Sequence, residues 1–343
     1  YNLVYTPHVA KTSLWETSGH LSFYSEYMFP AMDVEGQKYI IKPMNCPGHV
    51  LIYKSKLHSY KELPLRFFEL GNVYRYERSG VLHGLMRVRG FTQDDAHIFC
   101  TPENVEEEIL SLLDAVVKIL AKFGFKEYEI KLSTRPQKYI GDLEHWTLAE
   151  NALKSALEKK NLKYEIDPGE GVFYGPKIDL KIKDAIGRLW QCSTIQVDFN
   201  LPKRFEVKYR DKDGKDKYVI MIHRALLGSL ERFFAVLVEN YAGVFPFWLA
   251  PLQVRILPLS DKFISYAEEV KEKILNNGFR VEVDISSSTL QYKILNAIKQ
   301  KIPYIVIVGQ KEQQNNQISI RRYGCEKTEV LSIDEFIKEL RNN

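Results

Sequence analysis

The stretch that decides the expected fold is RFFELGNVYRYERSGVLHGLMRVRGFTQDDAHIF, residues 66–99. Its two ends alternate apolar and polar residues, and the segment between them, SGVLHG, contains Gly80 and Gly84. Alternation with a period of two is typical of a half-buried strand, and glycines favour a turn. The stretch therefore predicts a strand, a loop and a returning antiparallel strand.

Arginines are concentrated around the turn of this hairpin. Arg75 and Glu77 lie two residues apart before the loop, and Arg87 and Arg89 lie two apart after it. Each pair is therefore expected on one face of its strand. Arginine keeps its charge and binds phosphate through two parallel hydrogen bonds. The pattern alone leaves two interpretations open, a phosphate-binding sheet or a solvated hairpin with exposed ion pairs of little energetic value.

Length and composition restrict the class of protein. A chain of 343 residues is long enough for two domains. With 45% hydrophobic and 27% charged residues it is expected to be globular. The most apolar run, residues 233–252, is interrupted by Glu239, Asn240 and Pro246, so no membrane partner is expected. The net charge of +4 is too small to indicate nucleic acid by itself, and an RNA-binding surface has to be a local basic patch.

The four cysteines show no paired spacing. Cys46, Cys100, Cys192 and Cys325 are spread along the chain, which favours reduced thiols in a cytosol over a disulfide framework. No signal peptide opens the sequence, so a cytoplasmic location is expected.

The first two thirds of the chain predict strands with helices between them. KYIIKP is a strand, and a helix follows with Asn45 as its N-cap and Pro47 in its first turn. Amphipathic helices are expected over 101–123 and 144–161, because apolar residues recur there at helical spacing. Alternating strands follow over 164–202, and Lys208 to Lys217 forms a polar hairpin that turns at Asp213 and Gly214.

The pattern changes near residue 252. LQVRILPLS, FRVEVDI and PYIVIVG are short apolar strands separated by helical segments, and QISIRRYG adds a further strand. Such alternation is typical of a largely parallel or mixed sheet. The predicted domains are residues 1–249 and residues 250–343.

Cys46, His97 and His223 lie in three different segments. Zinc fingers pair their ligands within a few residues, and this spacing is unlike theirs. Spacing alone therefore favours three unrelated core residues, with a metal site as the alternative.

Several motifs resemble those of the class II aminoacyl-tRNA synthetases. YRYE, the SG-rich loop and RVRGFTQDDAH resemble motif 2, and PMNCPGH matches the pattern of the threonine-specific members. Pro7 resembles the end of motif 1, and Gly228 and Arg232 resemble motif 3. The resemblance covers essentially the entire chain. It implies an α/β (α+β) protein whose antiparallel sheet with flanking helices precedes a smaller α/β anticodon-binding domain with a mixed sheet.

The resemblance also implies a reaction and a set of site residues. Threonine and ATP would form threonyl-adenylate, and the threonyl group would pass to the 3′ end of tRNA(Thr). Cys46, His97 and His223 would bind Zn²⁺, and Mg²⁺ would accompany ATP. The residues expected to contact ATP are Arg75, Glu77, Arg87, Phe91, Gln191, Thr194 and Arg232. The residues expected to contact threonine are Met44, Asp95, Tyr174 and Gln196. Arg75, Gln93 and Arg232 are expected to act in activation, and His20 near the attacking ribose hydroxyl.

Further expectations concern RNA and assembly. Glu312 and Arg321 match positions that meet anticodon bases, and the class II core implies a homodimer. The sequence begins at Tyr1 with only the end of motif 1. An excised core is therefore expected, without the amino-terminal domains of the bacterial relatives, including the one that hydrolyses mischarged seryl-tRNA.

Two alternatives are weighed against this function. A related synthetase for proline, histidine, glycine or serine would share the scaffold, but Cys46, His97 and His223 together argue against it. A non-catalytic descendant that binds tRNA or regulates a partner has no need to keep Arg75, Arg87 and Arg232.

Overall fold

The computed structural model describes residues 1–342. Contacts between residues divide the chain into two compact units, Tyr1–Leu237 and a second unit that begins at Val238. The functional boundary near residue 250 stays a prediction.

The first unit is built on three sheets and seven helices. Its strands, in chain order, are β1 (Asn2–Leu3), β2 (Val9–Lys11), β3 (Met32–Val34), β4 (Gln37–Ile41), β5 (His58–Ser59), β6 (Leu65–Tyr74), β7 (Gly90–Cys100), β8 (Tyr128–Ser133), β9 (Glu165–Asp167), β10 (Lys177–Lys183), β11 (Leu189–Asp198), β12 (Lys208–Arg210), β13 (Asp216–Tyr218) and β14 (Ile220–Ser229). Its helices are α1 (Thr12–Ser18), α2 (His20–Phe23), α3 (Cys46–Lys54), α4 (Val105–Lys122), α5 (Leu143–Lys159), α6 (Asn200–Arg204) and α7 (Leu230–Asn240), the last of which continues past Leu237.

An eight-stranded sheet organises this unit, in the order β1-β6-β7-β14-β11-β10-β8-β9. From β6 to β8 all neighbours are antiparallel, and β1 and β9 join the two edges in parallel. The predicted antiparallel sheet is confirmed. Helices α4 and α5 contact each other and the strands β10, β11 and β14. Helix α4 carries three glutamates in its first turn and Lys122 in its last, as the helix dipole favours.

The hairpin of residues 66–99 is confirmed, but its strands are shorter than expected. Strand β6 ends at Tyr74 and β7 begins at Gly90, so the four charged residues around the turn lie outside the strands. The last ladder-like bond runs from Arg75 N to Arg89 O, 2.8 Å. Beyond it, Arg89 Nε donates to the backbone oxygen of Glu77 at 2.9 Å. In this part of the hairpin, a bond from the Arg89 side chain to the loop backbone takes the place of strand-to-strand hydrogen bonds. The alternation of apolar and polar residues did not predict this change.

Helix α3 begins where expected, but its cap differs. Asn45 occupies the N-cap position and Pro47 lies in the first turn, yet the Asn45 side chain makes no capping bond. Its Nδ2 donates instead to Asp95 Oδ2 at 2.9 Å. Asn45 also packs on the backbone of Gly71, where a Cβ would lie 2.3 Å from Nδ2. A glycine at 71 is required because any side chain there would displace Asn45.

The second unit is a mixed sheet with helices. Its elements are β15 (Val254–Pro258), α8 (Ile264–Asn276), β16 (Val281–Val283), α9 (Leu290–Lys299), β17 (Tyr304–Val308), α10 (Gln310–Asn315), β18 (Gln317–Arg322), β19 (Thr328–Ser332) and α11 (Ile333–Arg341). The strand order is β16-β15-β17-β18-β19. The first three strands are parallel and the last two are antiparallel, which confirms the expected mixed sheet. Its core is apolar, with Val254, Val306 and Phe336 fully buried.

None of the helices within residues 1–342 has both the length and the apolar character that are required to cross a bilayer.

Candidate active site and metal centre

A polar cavity of about 280 Å³ opens on the central strands of the large sheet. Strands β7, β11 and β14 supply much of its floor, and the arginine-rich loop after β6 and the start of α7 supply its rim. The sequence-predicted site residues that line it are Met44, Cys46, Arg75, Glu77, Arg87, Phe91, Gln93, Asp95, His97, Tyr174, Gln191, Thr194, Gln196, His223 and Arg232.

Three potential metal ligands converge at one end of this cavity. His97 on β7 and His223 on β14 are directly paired across the two strands, and their ring centroids lie 4.7 Å apart. Cys46 is the first residue of α3. One ligand atom from each of the three side chains lies within 4.8 Å of the others, and all three residues are buried. Sheet register and the strand-to-helix corner therefore unite residues that are far apart in sequence.

Each imidazole of the ligand cluster also contacts a second side chain at hydrogen-bonding distance. His223 Nε2 lies 2.9 Å from Asp198 Oδ2, and the other oxygen of Asp198 accepts from the backbone N–H groups at the start of α6. His97 Nδ1 lies 2.8 Å from His49 Nδ1. His97 Nε2 is left facing Asp95 Oδ1 at 3.7 Å. Metal-bound histidines typically carry outer partners of this kind, because these partners orient the ring.

The electrostatics of this cluster fit a cation. Burial raises the pKa of the Cys46 thiol well above its usual value, and the nearby carboxyls of Asp95 and Asp198 raise it further. Burial also lowers the pKa of His97, so its ring is neutral. A thiol and two imidazoles form a donor set that suits Zn²⁺, which binds in place of the thiol proton. The residues present therefore fit a zinc ion.

The wall beside the cluster carries neutral and acidic hydrogen-bonding groups. Asp95 is held by Asn45, and burial raises the pKa of its carboxyl. Gln196 Nε2 donates to the backbone oxygen of Gly175 at 2.8 Å, which leaves its oxygen as an acceptor. The hydroxyl of Tyr174 lies 3.7 Å from the sulfur of Met44. These groups offer donors and acceptors to a small polar molecule.

Three further guanidinium groups line the same cavity, those of Arg75, Arg87 and Arg232. Arg75 lies over the Phe91 ring at 5.1 Å. Arg87 Nε donates to Glu77 Oε2 at 3.0 Å. Arg232 donates to the backbone oxygens of Met86 and Gln191, at 2.8 and 3.1 Å. Burial lowers the pKa of Arg232, and the charges of Arg75 and Arg87 lower it further. Like charges held together repel, and an anion such as a polyphosphate relieves that repulsion.

The turn that leads into α7 is anchored by one carboxylate. Asp94 accepts from the backbone N–H groups of Leu226, Leu227 and Gly228, at 2.8 to 3.0 Å. Burial raises the pKa of Asp94 to about 6 despite these bonds. Gly228 has φ +75°, and a Cβ there would lie 2.4 Å from the Cys192 backbone oxygen. The turn that presents Arg232 therefore depends on a glycine.

Three predicted site residues lie elsewhere. His20 is fully buried and is not part of the cavity wall, and its Nε2 lies 3.1 Å from the sulfur of Met44. Burial lowers the pKa of His20 to about 3, with smaller contributions from the charges of His223 and Arg75. In the second unit, Glu312 caps α10 by accepting from Gly309 N at 3.0 Å. Arg321 Nε, also in that unit, donates to the Cys325 backbone oxygen at 3.0 Å.

Sequence reasoning missed four residues that organise the site. They are His49 and Asp198 behind the ligand cluster, Asp94 under the turn, and Asp179, which accepts from Gln191 and Thr194 at 2.6 and 2.9 Å. His49 follows Cys46 by three residues, which places both on one side of a helix, and this spacing was an available signal. The acids gave no signal, because buried and exposed carboxylates look alike in a strand pattern.

Comparisons with known proteins give a consistent family. The family described as "tRNA synthetase class II core domain (G, H, P, S and T)" matches residues 27–241. The family described as "Anticodon binding domain" matches residues 253–343.

Curated relatives and solved structures are more specific. The threonine–tRNA ligase of Sulfurihydrogenibium sp. (strain YO3AOP1) is 57% identical over 99% of this chain and 53% of its own length. The threonine–tRNA ligase of Aquifex aeolicus (strain VF5) is 57% identical over 98% of this chain and 53% of its own length. The chain thus spans about half the length of these curated relatives.

Among solved structures, the RNA binding domain of threonyl-tRNA synthetase from Cryptosporidium parvum Iowa II has a TM-score of 0.94 and 42% identity, over 100% of this chain and 86% of that one. A putative threonyl-tRNA synthetase from Aeropyrum pernix has a TM-score of 0.80 and 31% identity, over 100% of this chain and 84% of that one. A prolyl-tRNA synthetase from Cryptosporidium parvum, at 17% identity and a TM-score of 0.73, shows the fold alone. The chain belongs to the threonyl-tRNA synthetase family of the class II tRNA synthetases.

Proposed function

We propose that this chain is the catalytic and anticodon-binding part of a threonine–tRNA ligase. In this reaction the carboxylate of threonine attacks the α-phosphate of ATP, so that threonyl-adenylate forms and pyrophosphate leaves. The terminal ribose hydroxyl of tRNA(Thr) then attacks the adenylate carbonyl, and AMP leaves. The names of relatives that are 55–59% identical support this assignment.

The observation that carries the proposal is that one cavity is lined both by the ligand cluster and by the arginines. Cys46, His97 and His223 lie within ligand distance of one another, and Arg75 and Arg232 line the same cavity. Zn²⁺ bound to the three ligands would keep an open coordination position and act as a Lewis acid toward the amino and hydroxyl groups of threonine. A site of this kind places an amino acid beside a triphosphate.

The polar wall would then select and orient the amino acid. Asp95 would accept from the threonine hydroxyl, because its carboxylate lies beside the ligand cluster. Tyr174 and Gln196 would complete the polar contacts, and Met44 would pack on the side chain. Gln93 would orient the carboxylate for attack. Such positioning lowers the barrier by fixing the reacting groups at attack distance.

The arginine end would hold ATP with its Mg²⁺. Arg75 would bind the α-phosphate, and Arg87 and Arg232 the γ-phosphate. Arg232 would also cover one face of adenine while Phe91 covers the other. The groups assigned to hydrogen bonding with the nucleotide are Glu77, Gln191 and Thr194. Charge that develops as pyrophosphate leaves is stabilised by such preorganised cations, so no protein nucleophile is needed.

His20 is proposed to act in the transfer step. Burial lowers its pKa to about 3, so the ring is neutral and can hydrogen-bond a hydroxyl group. Its contact with Met44 places it behind a residue of the threonine site, so we assign it to the region of the attacking ribose hydroxyl.

The second part of the chain is proposed to bind the anticodon. We assign this role to residues 250–343, with Glu312 and Arg321 facing the bases. The match of residues 253–343 to the anticodon binding domain family supports the role. A homodimer in the cytoplasm completes the proposal.

Amino-acid-dependent pyrophosphate exchange, combined with metal analysis, tests the proposal. The purified protein is expected to contain about one zinc per chain and to exchange pyrophosphate only with threonine and, more weakly, serine. Exchange with proline or histidine alone would assign the chain to a related synthetase. Absence of exchange with every amino acid would favour a non-catalytic tRNA-binding protein.

A further inference from the structure

A buried chain of polar groups leads away from the ligand cluster. His97 Nδ1 lies 2.8 Å from His49 Nδ1, and His49 Nε2 lies 3.5 Å from Glu69 Oε1. His49 and His97 are almost fully buried, and their rings meet edge to face at 4.6 Å. His49 Nε2 has no closer partner among the described residues, and its contact with Glu69 is a charge contact rather than a full hydrogen bond. These polar groups therefore form one line from Glu69 through His49 to His97.

Glu69 is a fixed anion at the far end of this line. Its carboxylate accepts from Thr6 N at 2.9 Å and Thr6 Oγ1 at 2.7 Å, and Lys42 Nζ lies 3.5 Å away. Burial alone raises the pKa of Glu69, but the contact with His49, the hydrogen bonds from Thr6 and the charge of Lys42 outweigh it and lower the pKa to about 2. An ionised carboxylate only accepts hydrogen bonds.

The charge on Glu69 determines which nitrogen of each imidazole carries the proton. Because the negative charge of Glu69 faces His49 Nε2 at 3.5 Å, it favours the tautomer with the proton on Nε2, which leaves Nδ1 as an acceptor. His97 then donates from Nδ1, and its Nε2 keeps a lone pair. That nitrogen faces Asp95 Oδ1 at 3.7 Å. Two acceptors that face each other at this distance need a cation or a proton between or beside them.

His223 is held in the opposite tautomer by a single carboxylate, that of Asp198. Asp198 Oδ2 accepts from His223 Nε2 at 2.9 Å, so the lone pair of His223 is on Nδ1. The two ligand histidines therefore need different outer partners to turn their lone pairs toward Cys46.

We infer that His49 and Glu69 are positioning residues of the metal centre, which fix the tautomer of His97 so that Nε2 is available to Zn²⁺. The inference rests on the zinc site of the proposed function. It differs from a purely structural role for His49, because it predicts a selective loss of metal affinity rather than only a loss of stability.

Two substitutions at His49 and one control separate these roles. His49→Leu removes the acceptor for His97, and His49→Asn keeps a side-chain oxygen near the position of Nδ1 but loses the link to Glu69. His58→Leu is the control, since His58 is also buried and also bonds a carboxylate, Glu62 at 3.1 Å, away from the cluster.

The measurement is the zinc dissociation constant of the 343-residue protein, obtained by chelator competition at fixed pH, with the melting temperature of the metal-free protein recorded beside it. His49→Leu is expected to weaken zinc binding by ~10 to 100-fold, the usual effect of losing an outer partner. His49→Asn is expected to lose less, and His58→Leu to bind zinc as the unaltered protein does even if it melts lower.

Each outcome decides the inference. Equal zinc affinity in the unaltered protein and the His49 variants would overturn it and leave the zinc site intact. Equal weakening by His58→Leu would also overturn it, because the effect would then follow stability. An unaltered protein that binds no zinc would refute the proposed centre and the inference together.

A measurement on the unaltered protein avoids dependence on folding of the variants. ¹⁵N chemical shifts of the metal-free protein report which nitrogen of each imidazole is protonated. The expected result is a proton on Nδ1 of His97 and on Nε2 of His49. A proton on Nε2 of His97 would overturn the inference even if no His49 variant folds.

Discussion

The two units of the chain bury different kinds of side chain. In the first unit, acids, imidazoles and amides such as Asp95, His97 and Gln196 are buried around a cavity. In the described part of the second unit, the buried polar side chains are Gln253, Arg255, Lys293 and Ser319, and the core is otherwise apolar. Burying polar groups costs free energy unless they are bonded. The first unit therefore bears a larger cost of polar burial, and it does so around its cavity.

The largest expected effect tests whether these buried polar groups choose the substrate. Valine has the shape of threonine without its hydroxyl. A hydrophobic pocket separates such isosteres by only ~100-fold, whereas a site built to bond the hydroxyl rejects the analogue by ~10⁴ to 10⁵-fold. We expect a rejection of ~10⁴ to 10⁵-fold in kcat/KM for pyrophosphate exchange, because the polar side chains of Asp95, Tyr174 and Gln196 all line the cavity.

Serine is the matched control for valine, since it keeps the hydroxyl and lacks only a methyl group. Its activation is expected to fall by only ~10 to 200-fold. Removal of zinc by a chelator is expected to abolish activation of threonine and serine alike. Valine activated as readily as serine by the zinc-loaded protein would contradict the role of the polar wall.

Glu69→Gln tests the buried charge of the first unit. Glu69 and Lys42 are both almost fully buried, and removing one partner of a buried pair typically costs ~3 to 5 kcal/mol. The folded-state pKa of Glu69, about 2, is below its usual 4.5. The stabilisation is therefore fully present above pH 4.5 and is lost as the pH falls toward 2. Urea unfolding of the unaltered protein and of Glu69→Gln between pH 3 and 7 measures this loss. A difference in unfolding free energy between the two proteins that does not shrink toward pH 3 would contradict the ionised state assigned to Glu69.

Arg75→Ala tests the cationic end of the cavity. Losing one charged hydrogen bond to a reacting group typically costs ~2 to 4 kcal/mol, so adenylate formation is expected to fall by ~30 to 1,000-fold without loss of the fold. Arg78→Ala is the control, because Arg78 is exposed and is not part of the cavity wall. Unchanged exchange rates in a folded Arg75→Ala protein would exclude the role in phosphate binding.

The sequence predicted the elements better than the details that hold the site together. The hairpin β6–β7, the helix that begins at Cys46 and the mixed second sheet follow from local periodicity and turn residues, which a sequence displays directly. The predicted extent of the strands at Arg75 and Arg89 was wrong, because the Arg89 side chain bonds to the backbone of the loop and the Arg75 side chain bonds to the backbone of Pro43.

The residues of the candidate site could be predicted only from the resemblance to the class II synthetases. No local rule joins Cys46, His97 and His223, because the register of β7 with β14 brings the two histidines together. Asn45 occupies the predicted N-cap position, but its side chain does not cap the helix, for a related reason. Its amide bonds Asp95, fifty residues away, and tertiary contacts of this kind override local propensity.

The smallest expected effect lies in the second unit, where a carboxylate comparable to Glu69 is partly exposed. Glu339 accepts two hydrogen bonds from Arg322 and one from Tyr304, each at 2.8 Å, but the side chains of Glu339 and Arg322 are 24% and 36% exposed. Water screens such a pair, so Glu339→Gln is expected to cost only ~1 kcal/mol of unfolding free energy. Urea unfolding of the whole chain, followed by a probe in each unit, compares this variant with Glu69→Gln. A loss as large as that of Glu69→Gln would show that burial of charge does not distinguish the two units, and the comparison between them would fail.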